Sequence, residues 1–267
     1  MGVLNVTPDS FSDGGLHLDE ADAIAAGREM VGHGADIIDV GGESSRPGAS
    51  PVPADEELRR VIPVIEALVA ESAVVSVDTS KPSVARAALE AGAEIVNDVT
   101  SAASGEMAEV VAGAGAAVIL MHMQGTPRTM QQNPVYHDVV AEVAAFLVDQ
   151  AHRVIAAGAD PGSIAIDPGI GFGKTVEHNL ELIAGLGTLA GLGFPVVLGA
   201  SRKTFIGRLT GIDAPQARDQ ATAVTTALGF ERGARVFRVH DVASSRAALR
   251  LAAAIVNPQQ WEEWSQG

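Results

Sequence analysis

Eight short apolar runs in this chain each end in side chains that can do chemistry. The first ends in Asn5, the second in Asp39 followed by Gly-Gly-Glu-Ser-Ser-Arg-Pro-Gly, the third in Asp78 and the fourth in Asn97-Asp98. The fifth ends in Met121-His122, the sixth in Asp167-Pro168-Gly169, the seventh in Gly199-Ala200-Ser201-Arg202-Lys203 and the eighth in Arg238-Val239-His240. An Asp or Asn after a strand often only caps the next helix or shapes a turn. Eight polar ends converging on one rim ask for more than capping. By chemistry the set falls into two halves. Asp78, Asn97, Asp167 and Lys203 offer acceptors and donors to a flat, nitrogen-rich ring, because a carboxylate can accept two N–H bonds from an amidine-like edge. Arg46, Arg202, Arg238 and His240 suit an anion, and Asn5 offers an oxygen to a hard cation such as Mg2+. A heterocycle at one end and a diphosphate at the other is the ligand these halves imply.

Such ends meet only if the elements carrying them are arranged to bring them together. A Gly or Gly-Ala precedes six of the apolar runs, at Gly34, Gly92, Gly115, Gly158, Gly193 and Gly233. Each reads as a helix C-cap leading into a buried strand. The runs at 1–6 and 73–78 bring the strands to eight. Between them, the stretches 55–70, 82–91, 139–157 and 215–232 carry helical spacing. Strict alternation calls for a parallel sheet covered by helices, and eight units favour closure into a (β/α)8 TIM barrel. The length of 267 residues suits one such domain. The pattern places it at residues 1–256, with 257–267 as a C-terminal tail. The longest irregular connection, 122–137, has the character of a functional loop.

Composition narrows the partners. Lys and Arg total 18 against 33 Asp and Glu, a formal net charge of -15, which disfavours non-specific binding to nucleic acid or to anionic membranes. An anionic substrate must then be gripped by a local basic cluster. The chain has no cysteine, so disulfides and thiolate chemistry are excluded. No apolar run reaches the length of a membrane span and the amino terminus has no signal-peptide pattern, which together suggest a cytoplasmic protein. The stretch 168–175 superficially suggests a nucleotide-binding P-loop, but Pro168 stands where that motif needs glycine and Lys174 where the dinucleotide fingerprint does. It reads instead as a glycine-rich βα loop that lets a planar ligand approach the backbone.

The segments LNVTPDSFSDGG at 4–15, DVGGESSRPGA at 39–49, SVDTSKP at 76–82 and NDV at 97–99, with LMHMQGTPRTMQ at 120–131, DPGIGFGKT at 167–175, GASRKTFIG at 199–207 and RVHDV at 238–242, together resemble the dihydropteroate synthase family. The resemblance implies that Asp78, Asn97, Asp167 and Lys203 bind a pterin, with Val99 and Met121 lining its slot and Gly199 beneath it. It implies that Asn5 touches a magnesium-bound diphosphate held by Arg46, Arg238 and His240. It implies that Phe11, Ser45, Arg46, Pro47, Phe172 and Ser201 surround p-aminobenzoate, and that Asp13, Asp167 and Lys203 serve the chemistry. Sulfonamides as inhibitors and a homodimer formed through helices in the last third of the chain are further implications. Ser45 stands where relatives often carry Thr, which keeps the hydroxyl. Relatives also usually carry residues ahead of the first strand.

Three other readings compete. A sugar-phosphate barrel explains the glycines and arginines but leaves Asp78, Asn97 and Asp167 without purpose. A pterin-binding module of a corrinoid methyltransferase shares the carboxylates but gives Ser45-Arg46-Pro47 and Lys203 no role. A catalytically silent paralogue would bind the pterin without turning it over, and the intact rim speaks against it.

Overall fold

The computed structural model describes residues 1–7, 20–44 and 49–260. Strands and helices alternate as β1 Gly2–Asn5, α1 Glu20–Gly32, β2 Ile37–Gly41, α2 Ala54–Ala70, β3 Val74–Asp78, α3 Pro82–Glu90, β4 Ile95–Asp98, α4 Gly105–Ala114 and β5 Ala117–Met121. The second half continues with α5 Val139–Ala156, β6 Ile164–Asp167, α6 Val176–Ala184, α7 Leu186–Ala190, β7 Val196–Leu198, α8 Thr204–Thr210, α9 Asp219–Glu231, β8 Ala234–Phe237 and α10 Val242–Val256.

The eight strands pair in sequence order and all in parallel. The ring closes just beyond β8, where Val3 donates to the Val239 carbonyl at 2.9 Å and Val239 to the Met1 carbonyl at 3.0 Å. The expected (β/α)8 barrel is therefore present. Of the seven seams between consecutive strands the sparsest is β6 with β7, where Ile166 opposite Val196 is the one register pair, and the closure of the ring rests likewise on one bridge, Gly2 opposite Val239. Beside the β6–β7 seam, a bulge between Val196 and Val197 offsets β7 against β8.

Local sequence explains why the strands begin where they do. All six glycines read as caps have positive φ, from 63° at Gly115 to 108° at Gly158. At Gly92 the glycine N–H donates to Leu89 and the next N–H, of Ala93, reaches back to Ala88, which satisfies the open carbonyls of α3 and turns the chain into β4. The helices fall within two residues of the expected bounds at 54–70, 82–90 and 139–156. The last expected one differs: residues 216–218 form a 3-10 turn and α9 starts only at Asp219. Arg218 enforces that break by turning its guanidinium back onto the Ile212, Asp213 and Arg202 carbonyls at 2.6–2.9 Å.

Outward-facing residues such as Leu4, Ile38, Val40, Val75, Val77, Val96, Val118 and Ile166 pack under the helices and form the main core. Burial on both faces accounts for the β-branched character of these strands. Gly92→Ala is expected to cost about 1–2 kcal/mol from backbone strain alone, because φ is +102° and a Cβ would stand 2.7 Å from Val69. Thermal unfolding of the variant checks this, with a midpoint lowered by roughly 2–8 °C.

Candidate active site

Side chains two residues apart on a strand share a face, and inside the barrel that rule separates an apolar floor from a polar mouth. Met1, Ile37, Ile95, Ile119, Ala165, Val197 and Val236 form an apolar layer inside the ring. Two positions further along the same six later strands, or just past their ends, stand Asp39, Asn97, Met121, Asp167, Gly199 and Arg238. The chemistry thus sits at the carboxyl ends of the strands, resting on a dry base.

Arg238 crosses the mouth. Its Nε donates to Asp39 Oδ2 at 2.6 Å and its Nη2 to Asp78 Oδ2 at 2.6 Å. The same Asp39 oxygen accepts from Asn97 Nδ2 at 3.0 Å. Asp39 is fully buried, and its other oxygen has no partner among the described residues. Burial works against the charge on Arg238, but the two carboxylates outweigh it and hold the guanidinium above its usual range. At Asp78, burial pushes the carboxyl up while Arg238 pulls it down. Arg238 was expected on a diphosphate; with Nε and Nη2 committed, Nη1 is the nitrogen left for an anion. Asp39 carries no ligand role in the sequence reading. Its position at a strand end was visible, but its pairing with Arg238, 199 residues away, was not.

Asp167 and Lys203 form the opposite wall. Asp167 Oδ1 accepts the Gly169 N–H at 2.7 Å. Its Oδ2 lies 3.5 Å from where a Cβ on Gly199 would be, with Arg238 Cβ at 3.9 Å and Lys203 Nζ at 4.0 Å from that same point. The three groups therefore meet over the bare backbone of Gly199, and any side chain there would fill the space between them. Burial raises the Asp167 carboxyl, with Lys203 opposing. Burial lowers the Lys203 ammonium to about 8, with Asp167 opposing. Lys203 Nζ donates to the Ile170 carbonyl and stands 4.5 Å over the Phe172 ring, a cation–π contact.

Around this centre the other expected residues vary. Met121 is buried at the end of β5, and Val99 is half-buried directly after β4. Asn5 ends β1 opposite Gly41, half-buried at the rim. Ser201 Oγ pairs with His240 Nδ1 at 2.9 Å and accepts the His240 N–H at 3.1 Å, so the two act as one unit. Asp98, next to Asn97, turns outward and accepts from Thr100 N and Oγ1 and from Ala102 N, a structural cap for that turn. Arg202 departs from the expectation of an anion ligand: both its Nε and Nη2 grip Asp219 of α9 at 2.7 Å. Phe11, Asp13, Ser45, Arg46 and Pro47 lie outside the described residues.

Residues 1–240 match the pterin binding enzyme family. A dihydropteroate synthase of Mycobacterium leprae is 50% identical over 95% of this chain and 92% of its own length. The chain belongs to the dihydropteroate synthase family. Solved structures of the family superimpose closely. One from Xanthomonas albilineans with 4-aminobenzoic acid is 48% identical with a TM-score of 0.91, covering 96% of this chain and 92% of that one. A sulfonamide complex from Yersinia pestis is 41% identical with a TM-score of 0.91, covering 96% and 93%.

For a dihydropteroate synthase scaffold, the Asp39 pairing identifies a supporting carboxylate. Asp39→Asn is expected to destabilise the fold by about 2–5 kcal/mol, since it leaves Arg238 short of one buried counter-charge. Denaturant unfolding measures this. A change under about 0.5 kcal/mol would mean that Asp78 alone suffices to hold Arg238.

Proposed function

We propose that this family member joins 6-hydroxymethyl-7,8-dihydropterin diphosphate to p-aminobenzoate, and that pyrophosphate leaves before the amine attacks. The convergence of Asp167, Lys203 and Arg238 over Gly199, facing Asp78 and Asn97, carries the reading. Asp78 keeps Oδ1 and Asp167 keeps Oδ2 for the N–H groups of a pterin edge, while Lys203 donates to its acceptors. Val99 and Met121 flank the ring.

The bond between the exocyclic methylene and the diphosphate oxygen breaks, and its electron pair leaves with pyrophosphate. The dihydropterin delocalises the positive charge that remains, and the buried Asp167 carboxylate favours it electrostatically. The amine of p-aminobenzoate then forms the C–N bond and loses a proton, for which Asp13 is the proposed acceptor. Arg46, Arg238 Nη1 and His240 would hold the departing anion. No group of three or more acidic, His or Cys side chains that could hold a metal exists among the described residues. Asn5, at the end of β1, would offer Mg2+ an oxygen. A cation held there would neutralise leaving-group charge.

Phe11, Ser45, Arg46, Pro47, Phe172 and Ser201 are proposed to surround p-aminobenzoate. Sulfonamides, bound by the Yersinia pestis relative, would compete for the same pocket. No helix among the described residues is long and apolar enough to cross a membrane, and the absence of cysteine fits the proposed cytoplasmic setting.

Formation of dihydropteroate from the two substrates tests the reaction. Asp167→Asn is expected to lower kcat/KM for the pterin diphosphate by about 30-fold or more, equivalent to ~2 kcal/mol or above. A folded protein that binds the pterin without forming product would be the silent paralogue instead.

A homodimer through the last-third helices is also proposed. Val224 and Leu228 of α9 and Leu251 and Ile255 of α10, on two helices that pack together, are exposed at 44–67%. An apolar patch on adjacent helices can cover itself by a two-fold axis. Leu251→Glu is expected to shift sedimentation from dimer toward monomer; an unchanged dimer would place the interface elsewhere.

A further inference from the structure

The glycine-rich loop between β6 and α6 is fastened by its own backbone oxygens. Four successive carbonyls each accept from a different side chain. Ile170 accepts from Lys203, Gly171 from Gln131 Nε2 at 2.6 Å, Phe172 from Lys174 Nζ at 3.0 Å and Gly173 from Tyr136 Oη at 2.8 Å. Gln131 and Tyr136 belong to the long connection after β5. The loop fits closely against that connection, since a Cβ on Gly173 would stand 2.6 Å from the Gln124 carbonyl and one on Gly169 only 1.8 Å from the His122 carbonyl.

Lys174 is the centre of this arrangement, and the reaction gives it no task. It is 3% exposed. Besides the Phe172 carbonyl, its ammonium reaches His122 Nδ1 at 3.0 Å and the His122 carbonyl at 3.4 Å. Three N–H donors thus meet three acceptors, and no carboxylate forms an ion pair with Lys174 among the described residues. Burying an ammonium among neutral acceptors is costly, so its consequence must be sought in what it holds. The His122 ring can accept because burial keeps it neutral, with its pKa lowered to about 3, and it is wedged edge-on against Phe146 at 4.9 Å. Lys174 therefore ties the Phe172 carbonyl to His122, the residue directly after β5. Lys203 meets the ring of the same residue.

We propose that Lys174 is a positioning residue for the second substrate: it fixes Phe172 through the carbonyl and so sets affinity for p-aminobenzoate while touching neither substrate. The proposal rests on the reaction read above, because it takes Phe172 as part of the p-aminobenzoate pocket. The pterin side is anchored on Asp78, Asn97, Asp167 and Lys203, whose hydrogen bonds do not involve Lys174; its charge acts on Asp167 and Lys203 only beyond ion-pair distance.

Steady-state kinetics over both substrates tests this, with thermal unfolding measured on the same preparations. Lys174→Met keeps the length of the side chain and removes every donor. KM for p-aminobenzoate is expected to rise roughly tenfold, while KM for the pterin diphosphate moves less than about twofold. Tyr136→Phe, which removes only the bond to Gly173, is expected to move the p-aminobenzoate KM in the same direction by roughly threefold. Reduced stability with both KM values unmoved, or equal rises in both, overturns the proposal and leaves Lys174 a purely structural residue. If Lys174→Met does not fold, Tyr136→Phe decides by the same criterion. Wild-type turnover is the separate check on the underlying reaction: its absence sinks that reading, whereas turnover with an unmoved p-aminobenzoate KM in the variants sinks the role of Lys174.

Discussion

A guanidinium shared between two carboxylates governs the mouth of this barrel. Arg238 comes from the end of the last strand and reaches Asp39 on β2 and Asp78 on β3, so the ring that closes through backbone bonds at Val239 is closed again through side-chain charge. Taking three charges out of water is expensive, and their mutual attraction offsets that only with close geometry and further hydrogen bonds. Asn97 supplies one of these bonds to the same Asp39 oxygen. The orientation of Asp78, Asn97 and Arg238 is thus a single solution rather than three. Each is held before any ligand arrives, which limits the reorganisation that binding requires.

The position of the site was legible in the sequence because barrels put function at strand ends, and each apolar run here ends in or shortly before polar residues. The capping glycines were legible too, since only a residue tolerant of positive φ turns a helix into the next strand at Gly34, Gly92 or Gly233. Partnership was not. Arg202 and Arg238 look alike as arginines after strands, yet one is spent on Asp219 and the other crosses the pocket. Asp98 and Asp167 both end strands, but neighbouring residues on a strand face opposite ways, so Asn97 points inward and Asp98 outward. Which of two adjacent polar residues faces the ligand depends on register, and register needs the apolar layer beneath it to be known.

A net charge of -15 repels a diphosphate at long range. The structure resolves this by concentrating cations where they matter. Arg238 and Lys203 follow β8 and β7, neighbouring strands of the ring, and burial lowers the Lys203 ammonium to about 8. The rest of the surface can stay acidic, which discourages polyanions.

The sparse pairing between β6 and β7 has a consequence for motion. Local opening favours places with few ladder hydrogen bonds, and the β6–β7 seam is one of the two thin ones in this wall, the closure at Val239 being the other. That seam separates Asp167 from Gly199 and Lys203, the two sides of the slot, and the Lys203 contact with Ile170 is a side-chain strut across it. A ring-shaped ligand seated on both sides would act as a rivet. Amide protons of Val196 to Leu198 would then exchange more slowly in the complex than in the empty barrel, and the breathing that lets the ligand in would be the same motion its presence suppresses.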